Sequence, residues 1–580
     1  MRSDPPRTLR LALAIAFCAA LATASPAGAE PVISDFAIAR PVVAAHGMVV
    51  SQEAVASRIG VEILERGGNA VDAAVAVGFA LAVTLPRAGN IGGGGFMLIH
   101  RADLGKTIAI DYRESAPALT TRDVFLDDKG EAVPAKSLVS GLGIGVPGTV
   151  AGLELAWRNY GSGRLSFADL VAPAARLAHE GVAVDDDLAD SLPLGAPRLA
   201  LHPASARIFL KPDGTPKTLG DRLPLDDLAA TLDTIAAEGA RGFYTGPVAQ
   251  KMVEAVRAAG GRMSLDDLAT YRAVEREPVR GTYRGHEIVS MPPPSSGGVH
   301  IVEILNILEA WPLGAQGLNS AATIHEMAEA EKLAYADRAQ YLGDPDFLHV
   351  PVKGLTSKAY AAHLREGISL DHARRAADIR PGGPEPYESD QTTHFSIVDA
   401  QGDAVANTYT LNLPYGSGLV AEGTGVLLNN ELDDFAAKPG AANAFGLTGG
   451  DANAPGPNKR PLSSMSPTMV FEDGKLEIVT GSPGGSRIIT TVLQVILDIV
   501  DHGLNVAEAE EAPRVHDQWL PDELRIERGL SPDTIRLLEA MGHKVVLREA
   551  MGSANTIERR GGFWLGASDP RQRGTLAVGY

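Results

Sequence analysis

Between Asp390 and Gly416 the chain reads D-Q-T-T-H-F-S-I-V-D-A-Q-G-D-A-V-A-N-T-Y-T-L-N-L-P-Y-G, and this stretch constrains the fold more than any other. Two alternating runs, 393–399 and 404–411, flank a polar Ala-Gln-Gly-Asp turn, the pattern of a β-hairpin. In the first run Phe395 and Ile397 share one face, and His394, Ser396 and Val398 the other. In the second, Thr410 and Asn412 stand two apart and are expected on one side. Just ahead of the first run lies Thr392. A threonine at a strand start is ordinarily only a β-former, but here Gln391 precedes it. Its hydroxyl can attack the carbonyl before it, shift the chain to an ester and be released by hydrolysis. The freed α-amine, with a pKa of about 8, can then act as base for its own hydroxyl without a separate histidine.

The compartment follows from the N-terminus. Arg2, Arg7 and Arg10 precede an apolar run over 9–24, and Ala27-Gly28-Ala29 supplies small residues for cleavage, so 1–29 reads as a signal peptide. The run is short and followed by Ser25-Pro26, which disfavours a membrane anchor. The single cysteine, Cys18, lies inside this leader, leaving the mature chain without thiol or disulfide and excluding cysteine catalysis and a cysteine-based metal site. A formal net charge of −19 argues against nucleic acid or an anionic membrane as partner. Periplasmic or secreted localisation is expected, with no cofactor and no metal.

Along the mature chain, a helix is expected over 52–66, ending at Gly67-Gly68, and an apolar helix capped by Asn69 and stopped by Pro86. Gly92-Gly93-Gly94-Gly95 leads into a strand over 96–100. It lacks the lysine of a phosphate-binding loop and a following helix, so close backbone packing explains it better. A strand over 107–110 precedes Asp111-Tyr112-Arg113-Glu114. From 148 to about 370 the spacing is mainly that of amphipathic helices, interrupted at 292–298. There Ser296 and His300 lie close in sequence, but no G-x-S-x-G elbow or defined acid accompanies them. A strand is expected over 418–428, then Glu431, Asp433 and Asp434. The Gly-, Ala-, Asn- and Pro-rich 438–460 reads as a long irregular loop. A second hairpin over 468–480 leads through Gly481–Ser486 into an apolar helix over 487–500, and a glycine turn before a helix exposes N–H groups that can hold an anion.

These motifs resemble the γ-glutamyltranspeptidases, members of the N-terminal-nucleophile hydrolases. T-T-H-F-S matches the processing site, and N-N-E-L-D-D-F (429–435), P-L-S-S-M-S-P-T (461–468), G-S-P-G-G-S-R (481–487), D-Y-R-E-S-A-P (111–117) and P-P-P-S-S-G-G (292–298) follow the family's order across nearly the whole mature chain. The resemblance implies an α+β fold, the four-layer αββα sandwich. It also implies self-cleavage between Gln391 and Thr392 into a large chain, 30–391, and a small chain, 392–580, that remain associated. Thr392 would be the nucleophile, oriented by Thr410 and Asn412, with Gly484 and Gly485 as the oxyanion hole. Arg113, Ser463 and Ser464 would hold the substrate α-carboxylate, and Asp434 and Glu431 the α-ammonium. A lid would span the 438–460 loop, with Phe445 where related lids usually carry a gate tyrosine. Asp403 stands in the hairpin turn where Asn or Ser is expected. Substrates would be γ-glutamyl amides such as glutathione, with amino acids or peptides as acceptors. A cephalosporin or glutaryl acylase of the same fold, or an inactive secreted binding protein, are the alternatives.

Thr392→Ala is expected to remain a single precursor without activity, and N-terminal sequencing of the wild-type small chain to begin Thr-Thr-His-Phe. A small chain beginning at Thr393 would move the nucleophile.

Overall fold

The protein is described here as a computed structural model that covers Ile33, residues 37–383 and residues 393–580. The leader, Gln391 and Thr392 lie outside these described residues.

Two seven-stranded antiparallel sheets face each other. One runs in the order Leu576–Gly579, Met48–Ser51, Thr393–Val398, Ala404–Thr410, Gly94–Arg101, Lys106–Tyr112, Val274–Arg276. The other runs Val42–Ala44, Phe563–Ser568, Asn555–Arg560, Lys475–Thr480, Thr468–Glu472, His286–Ser290, Val279–Tyr283. Thr393–Val398 is an interior strand, bonded to Met48–Ser51 on one side and Ala404–Thr410 on the other. A strand with neighbours on both edges and covered faces has every side chain buried, and all six of its residues are.

The alternation in this strand divides two cores. Val398 joins Met48, Phe96 and Leu98 from its own sheet and Val289, Met469 and Ile557 from the facing sheet, filling the space between sheets. Phe395 and Ile397 point the other way, into a core with the helices Ala54–Glu65, Ala70–Thr84, Thr149–Tyr160 and Phe167–Glu180. A third core packs Gly297–Leu308, Ala321–Tyr341 and Arg487–Val500 against the outer face of the second sheet. The result is the expected αββα sandwich. Ala70–Thr84 shows why its sequence is apolar all round: all fifteen residues are buried, and Asn69 and Asp72 close a reciprocal capping box at its start.

Three local expectations change. The helical region contributes three strands to the two large sheets, Val274–Arg276, Val279–Tyr283 and His286–Ser290, which lie at or near one edge of each, besides the short pair Val182–Ala183 and Arg222–Leu223. Edge strands need no continuous apolar run, and their Arg, Glu and Gly content concealed them. The strand over 418–428 is instead a small hairpin, Val420–Ala421 with Val426–Leu427, because Gly423 and Gly425 turn the chain at positive φ. The strand after the central hairpin stops at Thr410, and Asn412 sits at φ 74, so strand alternation does not orient it. Asp403, by contrast, has a use in its turn: its carboxylate accepts from the Ala102 N–H at 2.8 Å and pairs with Arg101 Nε at 3.0 Å.

Glycines set how closely the layers approach the strand ends. A Cβ on Gly93 or Gly95 would collide with the Thr410 or Thr408 carbonyl, and one on Gly481 would enter the His394 ring. Gly481→Ala is therefore expected to cost about 1–3 kcal/mol through overpacking, read as a lower urea midpoint. An unchanged midpoint would mean that the Gly481 turn does not press on the central strand.

Candidate active site

The end of strand Lys106–Tyr112 delivers Arg113 into the interior, with no solvent exposure. Its Nε donates to the Pro461 carbonyl at 3.0 Å and Nη2 to the Leu462 carbonyl at 3.2 Å. Nη2 also meets Asp434 Oδ2 at 2.5 Å, and Nη1 pairs with Glu431 Oε1. Glu431 and Asp434 lie on a single 3₁₀ turn, Glu431–Asp434, which puts both carboxylates on one guanidinium. Burial alone would lower the Arg113 pKa, but Glu431 and Asp434 more than offset it and hold it charged. Burial pushes Glu431 well up despite the attraction of Arg113. Glu114 adds a third carboxylate, 3.9 Å from Arg113 Nη1, and burial raises it to about 7. Removing one partner from so dry an ion cluster leaves an uncompensated charge, a loss of about 3–5 kcal/mol.

Ser463 and Ser464 follow the two carbonyls that hold Arg113, but their hydroxyls are turned elsewhere. Ser463 Oγ accepts from Met465 N at 3.1 Å, and Ser464 Oγ takes a hydrogen bond from Arg338 Nη2. Ser296 belongs with them, donating to the Ser463 carbonyl at 2.8 Å, while His300 Nδ1 faces Glu303 at 2.6 Å. Ser296 and His300 therefore serve different partners.

At the start of the central strand, Thr393 Oγ1 donates to Gln52 Oε1. Across the hairpin, the Asn412 N–H donates to Thr410 Oγ1 at 2.8 Å and Asn412 Nδ2 to the Asn430 carbonyl at 3.0 Å. Thr410 and Asn412 are thus brought together by a backbone bond and tied to the residue before Glu431. The glycine turn reaches the same strand, since Gly481 abuts His394. Gly484 and Gly485 adopt φ 137 and 69 ahead of helix Arg487–Val500, and neither N–H has an acceptor among the described residues. Two adjacent N–H groups before a helix can stabilise developing negative charge on a carbonyl oxygen.

The 438–460 loop lies over the acidic turn. The Ala444 N–H donates to Asp433 Oδ2 at 3.2 Å and Asn443 Nδ2 reaches Asp434 Oδ1 at 3.4 Å. Phe445 is half-buried against the second helical core. Buried Asn453 ties the loop's two ends, donating to the Asp434 carbonyl at 2.6 Å and accepting from Leu462 N at 3.2 Å. A cavity of about 210 Å³ lies between Ser137, Asp433, Phe435 and Asn443. A larger one of about 990 Å³, between Pro203 and Leu228, shares no residue with the ion cluster. Glu114, Asn430 and Asn453 were not singled out from sequence: Asn430 and Asn453 matter through partners in other segments, and Glu114 through the burial of the Arg113 cluster beside it.

Among the described residues, His325, Glu329 and His543 converge closely enough to suggest a metal. Their donors are already engaged: His325 joins His543 at 2.8 Å and the Ser369 carbonyl at 2.7 Å, and Glu329 holds Lys332 and Arg374. With two cations on its carboxylate, this is a structural network.

The paired antiparallel sheets between helical layers, with an interior strand opening one residue after Thr392, define an N-terminal-nucleophile hydrolase fold. The family profile of Gamma-glutamyltranspeptidase matches residues 56–579. The chain belongs to this family. It is 56% identical over 566 residues to the glutathione hydrolase proenzyme of Escherichia coli K12, covering 97% of each chain. Among solved structures, the cephalosporin acylase from Bacillus halodurans superposes with TM-score 0.83 at 28% identity, covering 95% of this chain and 99% of that one. The Helicobacter pylori γ-glutamyltranspeptidase gives TM-score 0.56 at 43% identity, covering 60% of this chain and 97% of that one.

Glu114 carries a pH signature. A carboxyl group whose pKa is raised on folding binds more protons folded than unfolded, so its contribution to stability falls as pH rises from about 4.5 towards about 7. Glu114→Gln removes that term. The melting temperature of the variant is expected to gain on the wild type across this window, and a constant difference between the two would show that Glu114 does not titrate there.

Proposed function

We propose that the protein catalyses γ-glutamyl acyl transfer, hydrolysing glutathione and related γ-glutamyl amides and passing the γ-glutamyl group to amino acids or peptides. The observation that carries the reading is the buried cluster of one guanidinium and three carboxylates. A γ-glutamyl group presents an α-carboxylate and an α-ammonium on one carbon. Arg113 suits the first as a bidentate donor, with Ser463 and Ser464 beside it, and Asp434 with Glu431 suits the second. In the unliganded cluster Arg113 is paired with Asp434 and Glu431, and a zwitterion can offer its carboxylate to the guanidinium and its ammonium to the acidic turn.

Chemistry begins with cleavage of the Gln391–Thr392 bond, which frees the Thr392 amine. The Thr392 hydroxyl attacks the substrate γ-carbonyl and gives its proton to that amine, which passes it to the departing nitrogen as the C–N bond breaks. Gly484 and Gly485 donate to the oxyanion, while Thr410 and Asn412 orient the nucleophile. Water then attacks the γ-glutamyl ester to give glutamate, or an amine attacks to give a new γ-glutamyl amide. Both chains supply the site, Arg113 from the large one and Glu431 and Asp434 from the small one, and this keeps them associated. Phe445 covers the pocket without a hydroxyl. The leader 1–29 directs export to the periplasm or beyond, and no helix among the described residues is long and apolar enough to cross a membrane.

An acylase of this fold is the competing reading, and Asp434 separates the two. A glutaryl amide lacks the ammonium and would leave a buried carboxylate without its partner. Asp434→Asn keeps the shape and removes the charge. With chromogenic γ-glutamyl and glutaryl anilides, the wild type is expected to hydrolyse the former. The variant is expected to lose most of that activity while kcat/KM shifts relatively towards glutaryl. If the ratio does not move, Asp434 is not the ammonium site.

A further inference from the structure

Helix Ala321–Tyr341 is buried around its whole circumference, yet it carries His325, Glu329, Glu331, Lys332, Asp337 and Arg338 in its interior-facing positions. Charged side chains are almost never fully buried unless each has a specific partner. Towards its C-terminal end the partners belong to the candidate site. Tyr335 donates its hydroxyl to the carbonyl of Ser486, the residue that follows Gly484 and Gly485 and opens the next helix. One turn on, Arg338 donates Nε to Ser296 Oγ at 3.0 Å and Nη2 to Ser464 Oγ. The Arg338 guanidinium also lies over the Tyr335 ring at 5.8 Å, so the two side chains brace each other.

The glycine turn needs such a brace. Gly484 and Gly485 have no side chains to restrict their positive-φ backbone, so the direction of their N–H groups is set by what holds the turn's ends. Arg487 Nε holds the Gly484 carbonyl at 3.0 Å on one side. At Ser486, the hydroxyl donates to Gln518 Oε1 at 2.7 Å and the carbonyl is taken by Tyr335. Arg487 and Gln518 both belong to the small chain, and neither bond restrains the Ser486 carbonyl; Tyr335 supplies that restraint from the large chain. The serine pair is similar, because Ser463 is pinned through its backbone to Ser296 N at 2.6 Å, and Arg338 then clasps Ser296 and Ser464 together.

We propose that Tyr335 and Arg338 are positioning residues through which this large-chain helix aligns the oxyanion turn and the carboxylate-binding serines with each other. The inference rests on the proposed roles of Gly484, Gly485, Ser463 and Ser464. Tyr335 acts on the turn and hence on the rate of acyl transfer, whereas Arg338 acts on the serines and hence on substrate affinity.

The test is the division of effects between kcat and KM on a γ-glutamyl anilide, measured per cleaved enzyme, with melting temperature recorded alongside. Tyr335→Phe keeps the ring under Arg338 and removes only the hydroxyl. A fall in kcat of roughly tenfold with KM within about twofold is expected, the scale of one lost hydrogen bond to a buried carbonyl. Arg338→Lys keeps the charge but loses the fork across the two hydroxyls, and KM is expected to rise roughly tenfold while kcat changes little. The proposal is overturned if neither variant differs from wild type, or if kcat and KM move together in proportion to lost stability. If the lysine variant yields no folded protein, the kcat-to-KM division of Tyr335→Phe decides alone. An inactive wild type would instead overturn the underlying γ-glutamyl reading, which separates the two failures.

Discussion

The ion cluster at Arg113 depends on contributions from separated parts of the chain. Its guanidinium comes from a strand end, two carboxylates from one 3₁₀ turn, two carbonyls from 461–462 and a third carboxylate from its own neighbour Glu114. In a site without water the charges cannot be left singly, so the segments must arrive together or the cluster does not form. Under the proposed function, the guanidinium and the acidic turn would take the two charges of a zwitterion. The same ions join segments from either side of residue 391.

Around that cluster, the sandwich gives the central strand a rigid setting. The strand is bonded on both edges and packed on both faces, so its beginning, beside Thr392, has little freedom. Gly93 and Gly95 let the strand Ala404–Thr410 come close through its carbonyls, and Gly481 makes room for the His394 ring, where any side chain would interfere. The irregular segments that carry Asn412, Asp434 and Gly484 are attached to this frame by specific polar bonds. Asn412 is held to Asn430, Asp434 to Asn453, and the glycine turn to Arg487. The candidate groups thus sit on irregular segments that are fixed by specific side-chain bonds.

Buried polar groups recur on the second helical layer. Helix Ala321–Tyr341 satisfies Glu331 with the Asp517 N–H at 2.8 Å, Glu329 with Lys332 and Arg374, and Asp337 with Tyr360 and the Gly382 N–H at 2.5 Å. A helix used only for packing would be apolar on these faces. Here it connects segments from both sides of residue 391, with fixed geometry that apolar contacts would not provide.

The sequence by itself determined the central hairpin, the capped apolar helix after Asn69, the glycine turn before Arg487 and the identity of the charged motifs, because alternation, capping and turn chemistry are local. The likeness of those motifs to one family then supplied the αββα arrangement and candidate roles for Arg113, Glu431 and Asp434. Only the tertiary structure decided what depends on distant partners. It revealed Val274–Arg276 and Val279–Tyr283 as edge strands of the two sheets, with His286–Ser290 inside the second of these, where polar residues weaken the strand pattern. It turned Asn412 out of the strand and joined it to Thr410 through a backbone N–H. It also assigned Ser464 to Arg338, buried Glu114 in the Arg113 cluster, and made Asn453 the tie across the 438–460 loop. Some of those relations join residues far apart in the chain and others depend on backbone turns or on burial, which no local pattern records.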